Sequence, residues 1–293
     1  MSAALAALLG NPVELGVHAR YAGIIGISPS KGARSPALWN AAFGVHGIDA
    51  EMLPMDVAPE RLNDVVVALR DDASFLGGAV AAPYKGRVRE LLGDDVDPDV
   101  RLHGSVNALY RDARGRLIGA NTDGAGAARA IAERWPSADQ GRIAVLGLGG
   151  VGRPVAVALA AGGAVAAASR SESDRAWCEA HAMTWVPWSE RRSAVAGADL
   201  IVNCTSLGDA RHDGESPLDV ADLSVGGSAT RVYDVIYQPA ETPLLAAAAG
   251  RGLATCNGET MNLFQAELAF AKAFPDADPE LTHRAMAAAF ARL

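Results

Sequence analysis

The glycine-rich segment GLGGVG at residues 147–152 constrains the fold of this chain more than any other feature. It follows an apolar run typical of a buried strand and opens an apolar stretch typical of a helix. In that setting one glycine allows a tight turn, one lets a pyrophosphate approach the backbone, and one lets helix and strand pack closely. The alternative is a plain turn in a chain with 31 glycines. The flanking strands favour a dinucleotide site, at Gly147, Gly149, Gly150 and Gly152.

The end of the next predicted strand indicates which dinucleotide binds. An NAD site places Asp or Glu there, about 20 residues after the glycines, to bind the ribose 2′-hydroxyl. This chain instead has hydroxyl and guanidinium groups, at Ser169, Arg170, Ser171 and Arg175. Such groups suit a 2′-phosphate, which an acidic side chain would repel, so NADP is favoured over NAD. Glu172 and Asp174 weaken this pattern because they add negative charge to the same segment.

Strands and helices are predicted to alternate along the chain, which indicates parallel β-α-β units. Predicted strands occupy residues 22–27, 51–57, 75–82, 164–169, 199–203 and 231–236, and residues 142–152 begin a second β-α unit. Predicted helices occupy residues 36–45, 59–69 and 124–134, and the tail at 261–293 is helical. The run VNALYRDARGRLIG departs from this alternation and predicts a β-hairpin.

Length and composition exclude several classes of protein. A chain of 293 residues is long enough for two domains. Its net charge of −8 argues against nucleic acid as the main partner. The most apolar stretch, residues 154–168, is shorter than the roughly 20 residues of a membrane span. The N-terminus lacks the basic residues of a secretory signal, and three scattered cysteines form no zinc or disulfide pattern. We therefore expect a cytoplasmic chain without a metal or a membrane partner.

Lysine is rare in this chain, which has 23 arginines and 3 lysines. A retained lysine is a candidate for chemistry that arginine cannot perform, such as losing its proton. Lys85 follows Pro83 and Tyr84 at a predicted strand end, and Asp123 lies where a loop enters a helix. A lysine and an aspartate within hydrogen-bond reach can move a proton while a cofactor moves a hydride. The alternatives are a solvated cation at Lys85 and a helix cap at Asp123.

The order of these motifs resembles the shikimate dehydrogenase family. The resemblance runs from about residue 24 to residue 265 and is carried by SPALWN, PYK, VNAL, GANTDGAG, VLGLGGVG, SRS, NCTSLG, YDVIYQPAETPLL and NGETMNLFQAE. It implies an α/β protein with an N-terminal α/β substrate domain, residues 1–121 plus 258–293. It also implies an inserted, doubly wound Rossmann domain for NADP, residues 122–257.

The resemblance also implies an activity and a set of site residues. The family interconverts shikimate and 3-dehydroshikimate with NADP, in the chorismate pathway of aromatic amino acid biosynthesis. Lys85 and Asp123 match its catalytic pair, and Asn107 and Gln265 match the side chains that hold ring hydroxyls. Further matches are Ser35 at the substrate carboxylate, Tyr237 near that pocket, Asn203, Thr205 and Ser206 in the cofactor cleft, and Met261 beside the nicotinamide.

Two substrate contacts of the family are replaced in this chain. The first of two carboxylate-binding serines is Ala33, and a threonine that contacts a substrate hydroxyl is Ala81. A hydrogen bond to a charged group contributes about 1.5–3 kcal/mol, so losing the serine would weaken binding roughly 10- to 150-fold. One interpretation is that Arg34 compensates by pairing with the carboxylate, and Lys31 is close in sequence. The other is alanine drift in an alanine-rich chain, with the enzyme still acting on shikimate.

Several interpretations remain open from the sequence. The substrate is shikimate or a close relative such as quinate or aminoshikimate. Another interpretation is a non-catalytic NADP-binding homologue, because a fold alone does not fix a function. A methylene-tetrahydrofolate dehydrogenase would have no use for Asn107 and Gln265. The chain is expected to be a monomer or homodimer, with its first eighteen or so residues either contacting a partner subunit or disordered.

Overall fold

The computed structural model describes residues 1–225 and 229–293, and strands alternate with helices over most of this range. The strands are β1 (Arg20–Gly26), β2 (Ala50–Asp56), β3 (Phe75–Val80), β4 (Ala108–Arg111), β5 (Leu117–Ala120), β6 (Arg142–Leu146), β7 (Ala164–Ser169), β8 (Thr184–Pro187), β9 (Leu200–Asn203), β10 (Arg231–Asp234) and β11 (Ala254–Cys256). The α-helices are α1 (Ala3–Ala6), α2 (Ser35–His46), α3 (Leu62–Asp71), α4 (Lys85–Leu92), α5 (Val100–His103), α6 (Asp123–Arg134), α7 (Gly152–Ala160), α8 (Asp174–Ala180), α9 (Arg191–Val195), α10 (Pro243–Gly250), α11 (Glu259–Ala273) and α12 (Pro279–Phe290). Short 3₁₀ turns occupy Pro29–Lys31, Pro59–Arg61, Ala138–Gln140, Trp188–Glu190 and Asp222–Val225.

The chain divides into two units, the second inserted in the first. The first unit is Met1–Thr122 with Gln265–Leu293, and the second is Asp123–Phe264. The return to the first unit therefore falls inside α11, seven residues beyond the position expected from the sequence. The start of α11 belongs to the second unit, where the Arg129 guanidinium lies 3.8 Å from the centroid of the Phe264 ring.

The first unit is built on a mixed five-stranded sheet in the order β2-β1-β3-β4-β5. β1 pairs in parallel with β2 and β3, and the strands from β3 to β5 are antiparallel. The predicted hairpin is confirmed, with Ala108 opposite Ala120 and Arg111 opposite Leu117. Apolar side chains on β1, β3 and α3 form a buried core that includes Tyr21, Ile25 and Phe75.

The N-terminal segment packs against the first unit. Leu5 is fully buried in its core. Farther along, the Asn11 side chain donates to the Pro54 carbonyl at 3.0 Å and accepts from the Asp56 amide at 2.8 Å. These bonds occupy backbone groups of β2, which is the edge strand of the sheet. The segment therefore covers an edge that would otherwise be open to pairing with another chain.

An aromatic cluster joins the C-terminal helices to the first unit. The ring of Phe270 on α11 lies 5.2 Å from Trp39 and 5.6 Å from Phe43, both on α2, between ring centroids. Phe274 extends the cluster, 4.7 Å from Phe270. Trp39 and Phe270 are fully buried. Apolar burial of this size contributes on the order of 2 kcal/mol or more per side chain, so the cluster fixes where the chain returns.

The second unit is a doubly wound parallel sheet. Its six strands run in the order β11-β10-β9-β6-β7-β8, so the chain starts in the middle, winds outward on one side, and then winds outward on the other. The predicted fold class is thereby confirmed. Two edge strands, β8 and β11, were not predicted from the sequence, because they have four and three residues and carry no alternating pattern.

Within residues 1–225 and 229–293, no helix is both long and apolar enough to cross a bilayer.

Candidate active site

The glycine loop between β6 and α7 has the open face that a pyrophosphate needs. Gly147 has φ of +93°, a conformation that side chains rarely adopt, and a Cβ on Gly152 would lie 1.9 Å from the Gly147 carbonyl oxygen. These two glycines are required by the protein's own backbone. A Cβ on Gly149 would meet no atom within 4 Å, so that position faces open space. Gly150 lies beside it in the turn before α7. The loop therefore fits a dinucleotide phosphate.

The loop after β9 lies against the glycine loop. Cys204 donates its amide to the Leu146 carbonyl at 2.8 Å, and a Cβ on Gly147 would lie 2.8 Å from the Thr205 methyl group. β6 and β9 are neighbouring strands at the point where the winding reverses. In doubly wound sheets, ligands bind at the carboxyl ends of the strands at this point. The second unit therefore places Thr205 and the half-buried Ser206 at the expected cofactor edge.

A buried network holds Asn203, and its amide is fully used inside the protein. Its oxygen accepts from the Thr205 amide at 2.9 Å and the Thr205 hydroxyl at 2.7 Å. Its nitrogen donates to Asp234 at 3.1 Å. Asp234 also accepts from the Ile236 amide at 3.0 Å and the Thr242 hydroxyl at 2.8 Å. Asn203 thus shapes the loop after β9, and Asp234, which was not predicted from the sequence, holds its side-chain nitrogen.

Burial dominates the electrostatics around Asp234. It raises the pKa of the Asp234 carboxyl to about 6, even though the hydrogen bonds to Ile236, Asn203 and Thr242 favour the charged form. Burial also raises the pKa of the Cys204 thiol, and the charges of Asp234 and Asp123 raise it further. Cys204 is therefore a neutral structural thiol, and a thiol is a weak nucleophile compared with its thiolate.

The segment after β7 carries the residues predicted for a 2′-phosphate. Arg170, Ser171 and Arg175 are exposed, and Ser169 is buried. Asp174 does not add free negative charge here, because it is buried and its carboxylate lies 2.6 Å from Arg153.

One residue that contacts this segment, Trp185, was not predicted from the sequence. The indole nitrogen of Trp185 on β8 donates to the Ser169 hydroxyl at 2.9 Å, and the Arg175 guanidinium lies 4.4 Å from the indole centroid. The contact depends on the register of β7 and β8, in which Ala167 pairs with Trp185. A tryptophan 16 residues from its serine partner gives no local signal of this contact.

In the first unit, Asn107 and Gln265 are brought together. The buried Asn107 donates to the Gln265 side-chain oxygen at 3.2 Å and accepts from the Thr122 amide at 2.7 Å. The Thr122 hydroxyl also donates to the Gln265 carbonyl at 2.9 Å. Thr122 was not among the predicted residues, although it lies in the quoted GANTDGAG motif. Three polar side chains with defined hydrogen bonds therefore lie together, as recognition of a polyol requires.

Lys85 is tied to the same region through the backbone. It is the half-buried first residue of α4, and its carbonyl accepts from the Val106 amide at 3.0 Å. The next residue is Asn107, whose carbonyl accepts from the Val80 amide at 2.8 Å. β3 and the strand that begins at Ala108 therefore place the start of α4 next to Asn107.

The start of α2 carries the residues predicted at the substrate carboxylate. Ser35 is buried at the first position of the helix. The Arg34 guanidinium lies 4.8 Å from the centroid of the Phe290 ring. Ala81 lies close to the end of β1, since a Cβ on Gly26 would be 3.0 Å from the Ala81 Cβ.

The remaining predicted residues occupy defined positions in the second unit. Asp123 is buried at the first position of α6, Met261 is buried in α11, and Tyr237 is half-buried after β10. Lys85 and Asp123 thus belong to different units. Among the residues that the structure describes, no three His, Cys, Asp or Glu side chains are placed to hold a metal ion.

Known proteins resemble this chain in sequence. Residues 24–109 match the family profile described as the shikimate dehydrogenase substrate binding domain. The chain is 39% identical over 276 residues to a shikimate dehydrogenase (NADP(+)) of Acidiphilium cryptum strain JF-5, covering 92% of this chain and 97% of the relative.

Two solved structures resemble the whole chain. Shikimate 5-dehydrogenase from Thermus thermophilus, in complex with NADP(H) and shikimate, has a TM-score of 0.76 and 30% identity over 92% of this chain and 99% of that one. Quinate dehydrogenase from Corynebacterium glutamicum, in complex with NAD, has a TM-score of 0.77 and 29% identity over the same shares, 92% and 99%. From its identity and coverage to the Acidiphilium relative, this chain belongs to the shikimate dehydrogenase family.

Proposed function

We propose that this chain is an NADP-dependent dehydrogenase that interconverts shikimate and 3-dehydroshikimate. The observation that carries the proposal is the 39% identity, over 92% of the chain, to a relative named shikimate dehydrogenase (NADP(+)). Lys85, Asp123, Asn107, Gln265 and Ser35 are present in the sequence within the motifs that carry the resemblance, whereas Ala33 and Ala81 depart from it.

NADP, when bound, supplies the acceptor for the hydride that leaves the hydroxyl-bearing carbon. The glycine loop would hold its pyrophosphate, because Gly149 faces open space and the helix N-terminus of α7 favours anions. Ser169, Arg170, Ser171 and Arg175 would hold the 2′-phosphate. The pairing of Asp174 with Arg153 supports this choice, since it removes one acid that would repel the phosphate.

The proposed task of Lys85 and Asp123 is to take the hydroxyl proton. A lysine suits the task because its amine can give up a proton, whereas a guanidinium stays charged. Asp123 would hold the charged lysine or pass its proton onward. Lys85 comes from the first unit and Asp123 from the second.

Polar side chains of the first unit are proposed to hold the substrate. Asn107 and Gln265 already share a hydrogen bond of 3.2 Å and would turn toward the ring hydroxyls. Ser35 would bind the carboxylate, with Arg34 adding positive charge. Tyr237, from the second unit, is a further proposed substrate residue. The proposed partners are therefore small molecules, and we propose that the chain acts in the cytoplasm as a monomer or homodimer.

The substitution Lys85→Ala tests the proposal. We expect turnover of shikimate to fall by at least about a thousandfold, while NADP binding changes less than about twofold, because Lys85 belongs to the unit without the glycine loop. Arg87→Ala is the matched control, since Arg87 lies on the same helix, is exposed, and pairs with the exposed Glu90. Full activity of Lys85→Ala would contradict the proposal.

A quinate dehydrogenase is the second candidate. It is favoured by the likeness to quinate dehydrogenase in complex with NAD and by alanines at positions 33 and 81. A binding protein without activity is the third. Quinate turnover above shikimate turnover would establish a quinate dehydrogenase. NADP binding without turnover of any hydroxy acid would establish a binding protein without activity.

A further inference from the structure

Trp185 lies at the segment proposed for the 2′-phosphate and contacts it at two points. It is half-buried on β8, next to the end of β7. Its indole nitrogen donates to the Ser169 hydroxyl at 2.9 Å, and its ring lies 4.4 Å from the Arg175 guanidinium carbon. One side chain therefore orients both a hydroxyl and a cation of the same segment.

The hydrogen bond sets the direction of the Ser169 proton. A serine hydroxyl has one donor and two acceptor positions, and one acceptor position is used by Trp185. The Ser169 proton is directed at the Ser171 carbonyl over 3.4 Å, which is a long and weak bond. An incoming phosphate oxygen would replace that carbonyl at little cost, because the strong indole bond stays in place.

The ring limits the freedom of Arg175. Arg175 is exposed, and its ion pair with the exposed Glu172 spans 3.9 Å, so without the ring the side chain would sample many rotamers. Stacking on an indole is the strongest of the cation–π arrangements. A guanidinium held on a ring loses less entropy when it binds a phosphate than one that is free in water.

The charge of the segment is also arranged for an anion. Asp174 is buried against Arg153 at 2.6 Å, and the Arg153 guanidinium lies 5.0 Å from the Trp177 ring centroid. Arg153 thus neutralises the acid next to Arg175. The exposed charges of the segment are then Arg170, Arg175 and Glu172, which sum to positive.

We propose that Trp185 is a positioning residue that gives the cofactor site its preference for a 2′-phosphate, by fixing the Ser169 hydroxyl and the Arg175 guanidinium before the cofactor binds. The inference rests on the proposed use of NADP. It assigns to β8, an edge strand that carries no other predicted site residue, the choice between NADP and NAD.

Titration calorimetry on the full chain tests it, with adenosine 2′,5′-bisphosphate, NADP and NAD as ligands. Trp185→Leu removes both contacts, and we expect about tenfold weaker binding of the bisphosphate and of NADP, with NAD changed less than about twofold. Trp185→Phe keeps an aromatic ring and deletes only the indole donor, so we expect about threefold weaker binding of the bisphosphate and of NADP. Trp188→Phe is the matched control, because Trp188 has the same kind of arginine contact, with Arg191 at 5.0 Å.

A double substitution separates positioning from folding. If Trp185 also acts through Arg175, then adding Trp185→Leu to Arg175→Ala weakens NADP binding only by the roughly threefold that belongs to the Ser169 bond, compared with about tenfold when Arg175 is present. Equal losses for NADP and NAD, or no loss in Trp185→Leu, would overturn the inference. If the wild type binds NAD as tightly as NADP, the proposed cofactor is wrong. If the wild type prefers NADP and the Trp185 variants keep that preference in full, the inference alone is wrong.

Discussion

At the scale of single residues, Ala33 and Ala81 stand where the resemblance to the family predicts a serine and a threonine. Ala33 comes two residues before the buried Ser35, and Ala81 lies against the end of β1. Neither alanine can donate a hydrogen bond to a carboxylate or hydroxyl. Arg34, the residue expected to compensate, is stacked on Phe290.

Restoring the serine should therefore improve shikimate binding. We expect Ala33→Ser to lower KM for shikimate by about tenfold with little change in kcat, because the added bond forms in both the bound and the reacting states. Ala113→Ser, in the exposed turn between β4 and β5, is the control. Steady-state kinetics provide the measurement. An unchanged KM would show that the carboxylate end is already satisfied by other groups.

In the glycine loop, Gly152 is required by the packing of the backbone, whereas Gly149 faces the space proposed for the phosphate. We expect Gly149→Ala to unfold at nearly the wild-type temperature but to lose dinucleotide binding, since its Cβ meets no protein atom and would occupy the space of the phosphate. Gly152→Ala should instead lose about 1–3 kcal/mol of stability, because its Cβ would lie 1.9 Å from the Gly147 oxygen. Thermal melting and NADP titration of both variants check this. Tight NADP binding by Gly149→Ala would remove the pyrophosphate assignment.

At the scale of elements, Asp234 connects the loops that follow β9 and β10. It holds Asn203, the Ile236 amide and Thr242, which is the N-cap of α10. Its carboxyl has a pKa of about 6, above the value near 4 of an unfolded chain. The folded state therefore binds the proton more tightly than the unfolded state does.

This linkage predicts how stability changes with pH. The proton held by Asp234 adds to the free energy of unfolding, and this contribution is fully present below about pH 4. It is lost as the pH rises to about 6, by on the order of 3 kcal/mol. The nearby Cys204 and Tyr233 have pKa values raised by burial and stay neutral in this window. Relative to wild type, Asp234→Asn should gain stability across the window, whereas Asp213→Asn, at an exposed residue, should not. Urea unfolding at several pH values measures this. Parallel curves for wild type and Asp234→Asn would contradict it.

The sequence predicts elements well where a local pattern exists. The strand at 164–169 and the hairpin formed by β4 and β5 are found as expected. The predicted helix at 59–69 begins as a 3₁₀ turn, Pro59–Arg61, before α3. β8 and β11 are too short for a pattern, and their place is set by pairing with β7 and β10. The Trp185 contact was unpredictable for the same reason, since it exists only once that register is known.

At the scale of the whole molecule, the chain is an inserted Rossmann unit within a substrate-binding unit. The fold class follows from the glycine loop and the alternation of elements, and the sheet order confirms it. The return to the first unit falls inside α11, at a position that the sequence pattern does not reveal. The proposed site residues follow from their motifs, whereas the hydrogen bonds of Thr122 and Asp234 are visible only in the folded chain.

The most direct test of the proposed function is the initial rate of cofactor reduction by the wild-type protein. Shikimate and quinate are each supplied with NADP and with NAD, giving four values of kcat/KM. We predict that shikimate with NADP exceeds each of the other three by at least about tenfold, a discrimination that a single positioned polar contact can supply. A higher value for quinate, or no reduction with any combination, would contradict the proposed function.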